Sequence, residues 1–102
     1  MKHLVKIVFN DFYFEKGFEK GFNAVTGEIF LILTFLEMED TSWSVYIDSS
    51  SLCCHGDYYT AKLRFLVDGD VPVYLLSDKS RFDLCYLKTP VGHGEILGKT
   101  AP

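Results

Sequence analysis

The feature that most constrains the fold of this chain is a stretch of regular alternation between apolar and polar positions in its second half. Every second residue of this stretch is apolar, at Tyr59, Ala61, Leu63, Phe65 and Val67. Most of the positions between them are polar, including Thr60, Lys62 and Arg64. Because the side chains of a strand point alternately to opposite faces, the pattern predicts a half-buried β-strand over residues 59–67.

Further strands are predicted along the whole chain, separated by turn residues. The predicted strands cover residues 3–9, 28–37, 43–48, 59–67, 73–76, 82–86 and 91–97. The run at 28–37 is apolar on both faces, so periodicity alone also allows a buried helix, and its β-branched and aromatic residues favour the strand. The patterns predict these core residues: Ile32, Trp43, Leu63, Phe65, Phe82 and Leu84.

The order of these segments also carries a resemblance to a known family. The segment TAKLRFL, a loop, and then RFDLCYLKTPVGHGEIL resemble the C-terminal β-barrel domain of elongation factor Tu, and more closely the small stand-alone bacterial proteins related to that domain. Val91, Gly92, Gly94 and Ile96 match the family's closing V-G-x-G-x-[IV] pattern, and the resemblance covers residues 42–97. It implies an all-β fold, a small antiparallel barrel of six to seven strands, and a translation-related role in contact with RNA.

Length and charge limit the choice of partner. A chain of 102 residues is expected to form a single β-barrel domain over residues 1–102. Ten basic residues stand against fourteen acidic ones, a net charge of −4, so a general attraction to nucleic-acid phosphate is not expected. Where the resembled family has a basic loop, this chain has FYFEKGFEKGFNAVTGE, without arginine or proline. A basic protein is therefore the predicted partner.

The location is predicted from the apolar runs and the cysteines. Lys6 and Asn10 interrupt the first apolar run, so we expect no secretory signal. The longest apolar run, residues 29–36, is too short to span a bilayer, and no membrane contact is expected. Three cysteines, an odd number, do not suggest a disulfide framework, so the sequence predicts a cytoplasmic protein.

Candidate chemistry is sparse. Cys53, Cys54 and His55 lie in sequence, but adjacent cysteines rarely reach one ion, so we expect neither a metal site nor a cofactor. A thiol such as Cys85 could in principle pair with His93 as a nucleophile and its base, but no third orienting group is evident. Because the motifs of hydrolases, phosphate loops and dinucleotide sites are also missing from the sequence, we expect no catalytic residues and no enzyme.

Two kinds of segment are the candidates for partner binding. The first is the repeated EKGF segment, in which Phe14, Phe18 and Phe22 are four residues apart. These rings either close an open end of the barrel or form an aromatic patch that grips a partner. The second kind is acidic turns, at Glu37, Glu39 and Asp40 and at Asp68 and Asp70.

The sequence therefore predicts a non-enzymatic binding module. Small acidic proteins without catalytic motifs are typical of immunity proteins that neutralise a basic toxin, with acidic groups steering the association. The predicted binding residues are Phe18, Phe22, Glu37, Glu39, Asp40, Asp68 and Asp70. The alternative is a translation-factor-like module that contacts RNA or the translation machinery.

Overall fold

The protein is a closed antiparallel β-barrel. The structure, a computed structural model, describes residues 2–10, 21–76 and 79–99. The strands are β1 (His3–Phe9), β2 (Phe22–Asn23), β3 (Glu28–Phe35), β4 (Trp43–Asp48), β5 (Cys53–Cys54), β6 (Tyr59–Phe65), β7 (Arg81–Tyr86) and β8 (Thr89–Lys99). Four short 3-10 helices lie in the connections, at Leu36–Met38, Ser49–Ser51, Asp68–Asp70 and Val73–Leu76. No α-helix occurs in the described ranges, which confirms the predicted all-β class.

Six strands close the barrel, in the order β1, β8, β7, β3, β4 and β6, and β1 pairs back with β6. All of these pairings are antiparallel. The two-residue strands β2 and β5 add to β3 and β6 respectively. The predicted barrel of six to seven strands is therefore present as six long strands with two short additions.

The core of the barrel follows the alternation seen in the sequence. On β6, Ala61, Leu63 and Phe65 point inward and are buried, as the pattern predicts. Phe82 and Leu84 on β7 are buried as well. The rings of Phe35 and Phe82 meet edge to face, with centroids 6.3 Å apart, at the centre of an aromatic cluster.

The two glycines of the closing strand mark a close approach of backbones. A side chain at Gly92 would place its Cβ 2.6 Å from the carbonyl oxygen of Val8, and one at Gly94 would collide with the carbonyl oxygen of Lys6. At Gly94 the ring of Phe82 lies on the inner side, 2.9 Å from the same Cβ position. Because Gly92 and Gly94 have no side chains, β8 can lie close to β1. The Phe82 ring occupies the space beside Gly94.

The prediction that Ile32 belongs to the core is wrong. On β3 the inward positions are Leu31 and Leu33, which are fully buried, and Ile32 is half-buried on the outer face. Because consecutive residues of this strand are apolar, the sequence pattern does not show which row of side chains faces inward. Trp43, also predicted as core, is half-buried at the start of β4 and packs its ring edge to face against Phe35.

The predicted strand at 73–76 is also wrong, because these residues form a 3-10 helix. Pro72 precedes it, and the carbonyl of Pro72 accepts a hydrogen bond of 3.0 Å from the backbone N–H of Leu75. Proline favours the first position of a helical turn because it has no N–H to satisfy there. The preceding strand ends at Phe65, so Val67 is outside the barrel and 52% exposed, not inward as predicted.

Candidate functional site

The connections of the barrel divide into two ends, and the acidic turns lie at the same one. In an antiparallel barrel, β3 and β6 run in one direction and β4 and β7 in the other. The β3–β4 connection and the β6–β7 connection therefore both leave the barrel at one end. They are also neighbours, because β4 pairs with β3 on one side and with β6 on the other. We call residues 36–42 and 66–76 the acidic end.

Five acidic residues occupy the acidic end. They are Glu37, Glu39, Asp40, Asp68 and Asp70. Of these, Glu37, Glu39, Asp40 and Asp70 are exposed. Neither 36–42 nor 66–76 contains a lysine or an arginine, and the nearest basic residues along the chain are Arg64 on β6 and Lys79 later in the β6–β7 connection. The topology thus places the two predicted acidic turns side by side at one end of the barrel.

Exposed apolar side chains concentrate at the same end. Of the nine large hydrophobic residues exposed in the described part of the chain, five belong to the acidic end: Leu36, Leu66, Val67, Val73 and Tyr74. Val73 is 80% exposed and Tyr74 62% exposed. Isolated exposed apolar residues are ordinary, whereas several on one surface mark an interaction site more often. The apolar run at 73–76 favoured a strand, so the exposure of Val73 and Tyr74 was not predicted; Pro72 was the available signal of a helical turn.

The β6–β7 connection is fixed to the barrel by two buried side chains. Val71 is 5% exposed and Leu75 is fully buried, and both belong to the main hydrophobic core. At the start of the connection, the backbone N–H of Leu66 donates a 2.9 Å hydrogen bond to the carbonyl of Ser44 on β4. Val73 and Tyr74 lie between the two buried residues, so they are presented to solvent by a segment whose flanks are held in the core.

The aromatic candidates are separated from the acidic end. Phe22 forms β2 and pairs with Ile29 near the start of β3, at the opposite end of the barrel, and it is 46% exposed. Phe14 and Phe18 lie outside the described residues. Phe22 and the acidic turns are consequently two surfaces on opposite ends of the barrel.

The thiols and histidines do not form the arrangement of a nucleophilic site. Cys53 and Cys54 are exposed on β5. The ring of His55 stacks on Tyr58 with centroids 4.9 Å apart, and its Nε2 lies 2.9 Å from the Oγ1 of Thr60. In the described part of the chain, no three His, Cys, Asp or Glu side chains converge as a metal site requires.

Cys85 and His93 do line one groove, on the outer face of β7 and β8 together with Asp83. Burial raises the pKa of the Cys85 thiol, and the charge of Asp83 raises it further. A nucleophilic cysteine requires the opposite shift, because the thiolate is the reactive form. The environment of Cys85 therefore favours the protonated, unreactive thiol.

In the described part of the chain, two ion pairs join side chains on the outer face of the barrel. The guanidinium of Arg64 donates two hydrogen bonds to Glu28, of 2.7 and 2.9 Å. These bonds lower the pKa of Glu28, and the hydroxyl of Ser50 lowers the pKa of Asp48 in the same way. Lys2 approaches Asp48 at 3.4 Å. Glu28 and Asp48 face each other across β3 and β4, so the four charges form one group.

No family model matches this chain, and no curated protein or solved structure matches it significantly. The resemblance to the elongation factor Tu domain therefore stays an expectation from the sequence. No helix in the described ranges is long and apolar enough to cross a membrane.

Proposed function

We propose that this protein is a non-enzymatic binding module of the immunity type, which docks a basic protein onto its acidic end. The observation that carries the proposal is the joining of two acidic turns and five exposed apolar residues on one end of the barrel. Acidic groups steer a basic partner and fix its orientation, whereas buried apolar and aromatic side chains supply most of the binding energy. The acidic end contains both acidic side chains and exposed apolar or aromatic side chains.

Tyr74 is the strongest candidate for the energetic centre of this surface. Tyrosine is enriched among the residues that dominate interfaces, because it buries a large rigid area with few rotatable bonds. Tyr74 follows Val73 in a 3-10 helix whose next residue, Leu75, is fixed in the core. A side chain that is already positioned loses less conformational freedom on binding than one on a loose loop.

The experiment is a search for basic proteins among the products of the neighbouring genes, followed by binding measurements with each by calorimetry and stopped-flow at low and high salt. Tyr74→Ala should weaken binding by about 2 kcal/mol or more, roughly 30-fold. Asp70→Lys should mainly slow association and reduce its salt dependence. Val25→Ala and Asp57→Lys are the matched controls, because both residues are exposed at the opposite end of the barrel.

Three results would contradict the proposal. The first is the absence of any basic protein beside the gene that binds this chain. The second is an equal loss of affinity in Asp57→Lys and Asp70→Lys, which would show that net charge alone matters. The third is binding to a single-stranded RNA oligonucleotide that falls steeply with salt, the behaviour expected of the alternative RNA-contacting role.

A further inference from the structure

A second surface lies at the end of the barrel opposite the acidic turns. It is a cleft of about 630 Å³ between the turn that contains β2 and the outer faces of β3, β4 and β7. The lining residues are Gly21, Phe22, Asn23, Ala24, Glu28, Phe30, Tyr46 and Tyr86. Four of these eight residues are aromatic, and Glu28 is the charged one. We call this surface the aromatic cleft.

The local fold brings the walls of the cleft together. Gly21 has a φ of +88°, and its carbonyl accepts a 2.8 Å hydrogen bond from the backbone N–H of Phe30. A Cβ at Gly21 would collide with the carbonyl of Phe30 and would lie 3.3 Å from the ring of Tyr86. Only glycine satisfies both the left-handed backbone and the close approach. The turn can therefore lie against β3 with the Tyr86 ring beside it.

Two residues that line the cleft, Glu28 and Tyr46, already hold a cationic group of the protein itself. The guanidinium carbon of Arg64 lies 4.2 Å from the centroid of the Tyr46 ring, and its nitrogens donate to both oxygens of Glu28. A guanidinium above an aromatic face is attracted by the negative charge density of the ring. Tyr46 packs in turn against Phe30, with centroids 5.4 Å apart. The protein thus already holds one cation, the guanidinium of Arg64, between the Tyr46 ring and the Glu28 carboxylate.

We infer that the aromatic cleft binds a second organic cation, a guanidinium or an alkylammonium group. Phe22 is 46% exposed, and Phe30 and Tyr86 are half-buried, so three further rings border the cleft beside the occupied Tyr46. Glu28 is ionised, because the hydrogen bonds from Arg64 lower its pKa. A carboxylate can accept more hydrogen bonds than the two that Arg64 donates. The net charge of −4 also favours the approach of a cation over that of an anion.

Two kinds of ligand carry such a cationic group: the arginine or lysine side chains of a protein, and small quaternary amines. The inference does not rest on the acidic end, since the cleft lies at the other end of the barrel. One site of this size on an open surface is expected to bind weakly, with a Kd of about 1 mM.

The test is an NMR titration of the whole chain with N-acetyl-arginine amide, and separately with choline. The neutral citrulline analogue of the arginine compound is the control for charge. We expect saturable shifts of the backbone amides of Phe22, Phe30, Tyr46 and Tyr86 with both cations and no saturation with citrulline. Tighter binding of the arginine compound would indicate a protein side chain as the natural ligand, and tighter binding of choline a small molecule.

Two variants locate the binding. Phe22→Leu removes an exposed ring and should weaken the binding of the arginine compound roughly 2- to 5-fold, which corresponds to an exposed cation–π contact of about 0.5–1 kcal/mol. Val25→Ser, at a residue that is 95% exposed in the same turn but outside the cleft lining, should bind as the wild type does. Equal shifts with citrulline, shifts confined to the acidic end, or unchanged binding in Phe22→Leu would overturn the inference.

Discussion

Replacement of Leu75 by alanine tests whether the segment that presents Tyr74 is held by the core. Leu75 is fully buried although it lies in a connection between strands, in a 3-10 helix of four residues. The substitution removes three carbon atoms, each worth about 0.8 kcal/mol when buried. The cavity left behind adds to this loss, because the surrounding core relaxes only in part. We expect a loss of about 2.5–4.5 kcal/mol in the free energy of unfolding.

The assay is urea unfolding followed by circular dichroism, with Val73→Ala as the control in the same helix. Val73 is 80% exposed, so its truncation should change the stability by less than about 0.5 kcal/mol. Small domains have a total stability of about 5–15 kcal/mol, so the loss at Leu75 should also lower the melting temperature by at least ~10 °C. A loss below about 1 kcal/mol in Leu75→Ala, or equal losses in both variants, would show that the connection is not held in the core.

Two further predictions concern acid stability and the closing strand. The pKa values of Glu28 and Asp48 are lower in the folded protein than their ordinary values of 4.5 and 3.8. Both carboxylates therefore stabilise the fold at neutral pH. This stabilisation is lost as the pH falls below the ordinary values. Urea unfolding between about pH 5 and pH 3 should show a falling stability, and a smaller fall in Glu28→Gln; an identical pH profile in that variant would contradict the assignment. Gly94→Ala should destabilise the barrel by more than about 1 kcal/mol, because the new Cβ would collide with the carbonyl of Lys6. Gly69→Ala is the control, because no atom lies within 4 Å of its Cβ position, and it should be nearly neutral. Thermal unfolding of the two variants measures both effects.

The sequence predicted those strands in which one face is polar. On β6 the alternation of Ala61, Leu63 and Phe65 with polar residues assigns the inward row without ambiguity, and the structure agrees. On β3 the positions from Ile29 to Leu33 are all apolar, so the inward row is set by pairing with β4 and β7, which one strand cannot reveal. Local pattern therefore predicts the facing of a strand with one polar face, whereas non-local pairing decides which way a strand with two apolar faces is oriented.

The candidate site shows the same limit. The sequence identified the acidic turns at Glu37–Asp40 and Asp68–Asp70, because turn residues and charges are local signals. Their position side by side depends on β4, which pairs with both β3 and β6, and this long-range pairing has no local signal. The exposure of Tyr74 depends in turn on the burial of Leu75 beside it. The acidic end of this barrel is thus a product of topology, although its members are ordinary loop residues.

The closed barrel also limits where a partner can bind. Each of the six long strands is hydrogen-bonded on both sides, so along these strands no long edge remains for an added strand of a partner. The inner face is filled by the core, which leaves the outer face and the two ends. At the acidic end, Leu75 packs in the core while Tyr74, the residue immediately before it, faces solvent. A substitution that loosens Leu75 should therefore reduce both stability and partner affinity, whereas Tyr74→Ala should reduce affinity far more than stability.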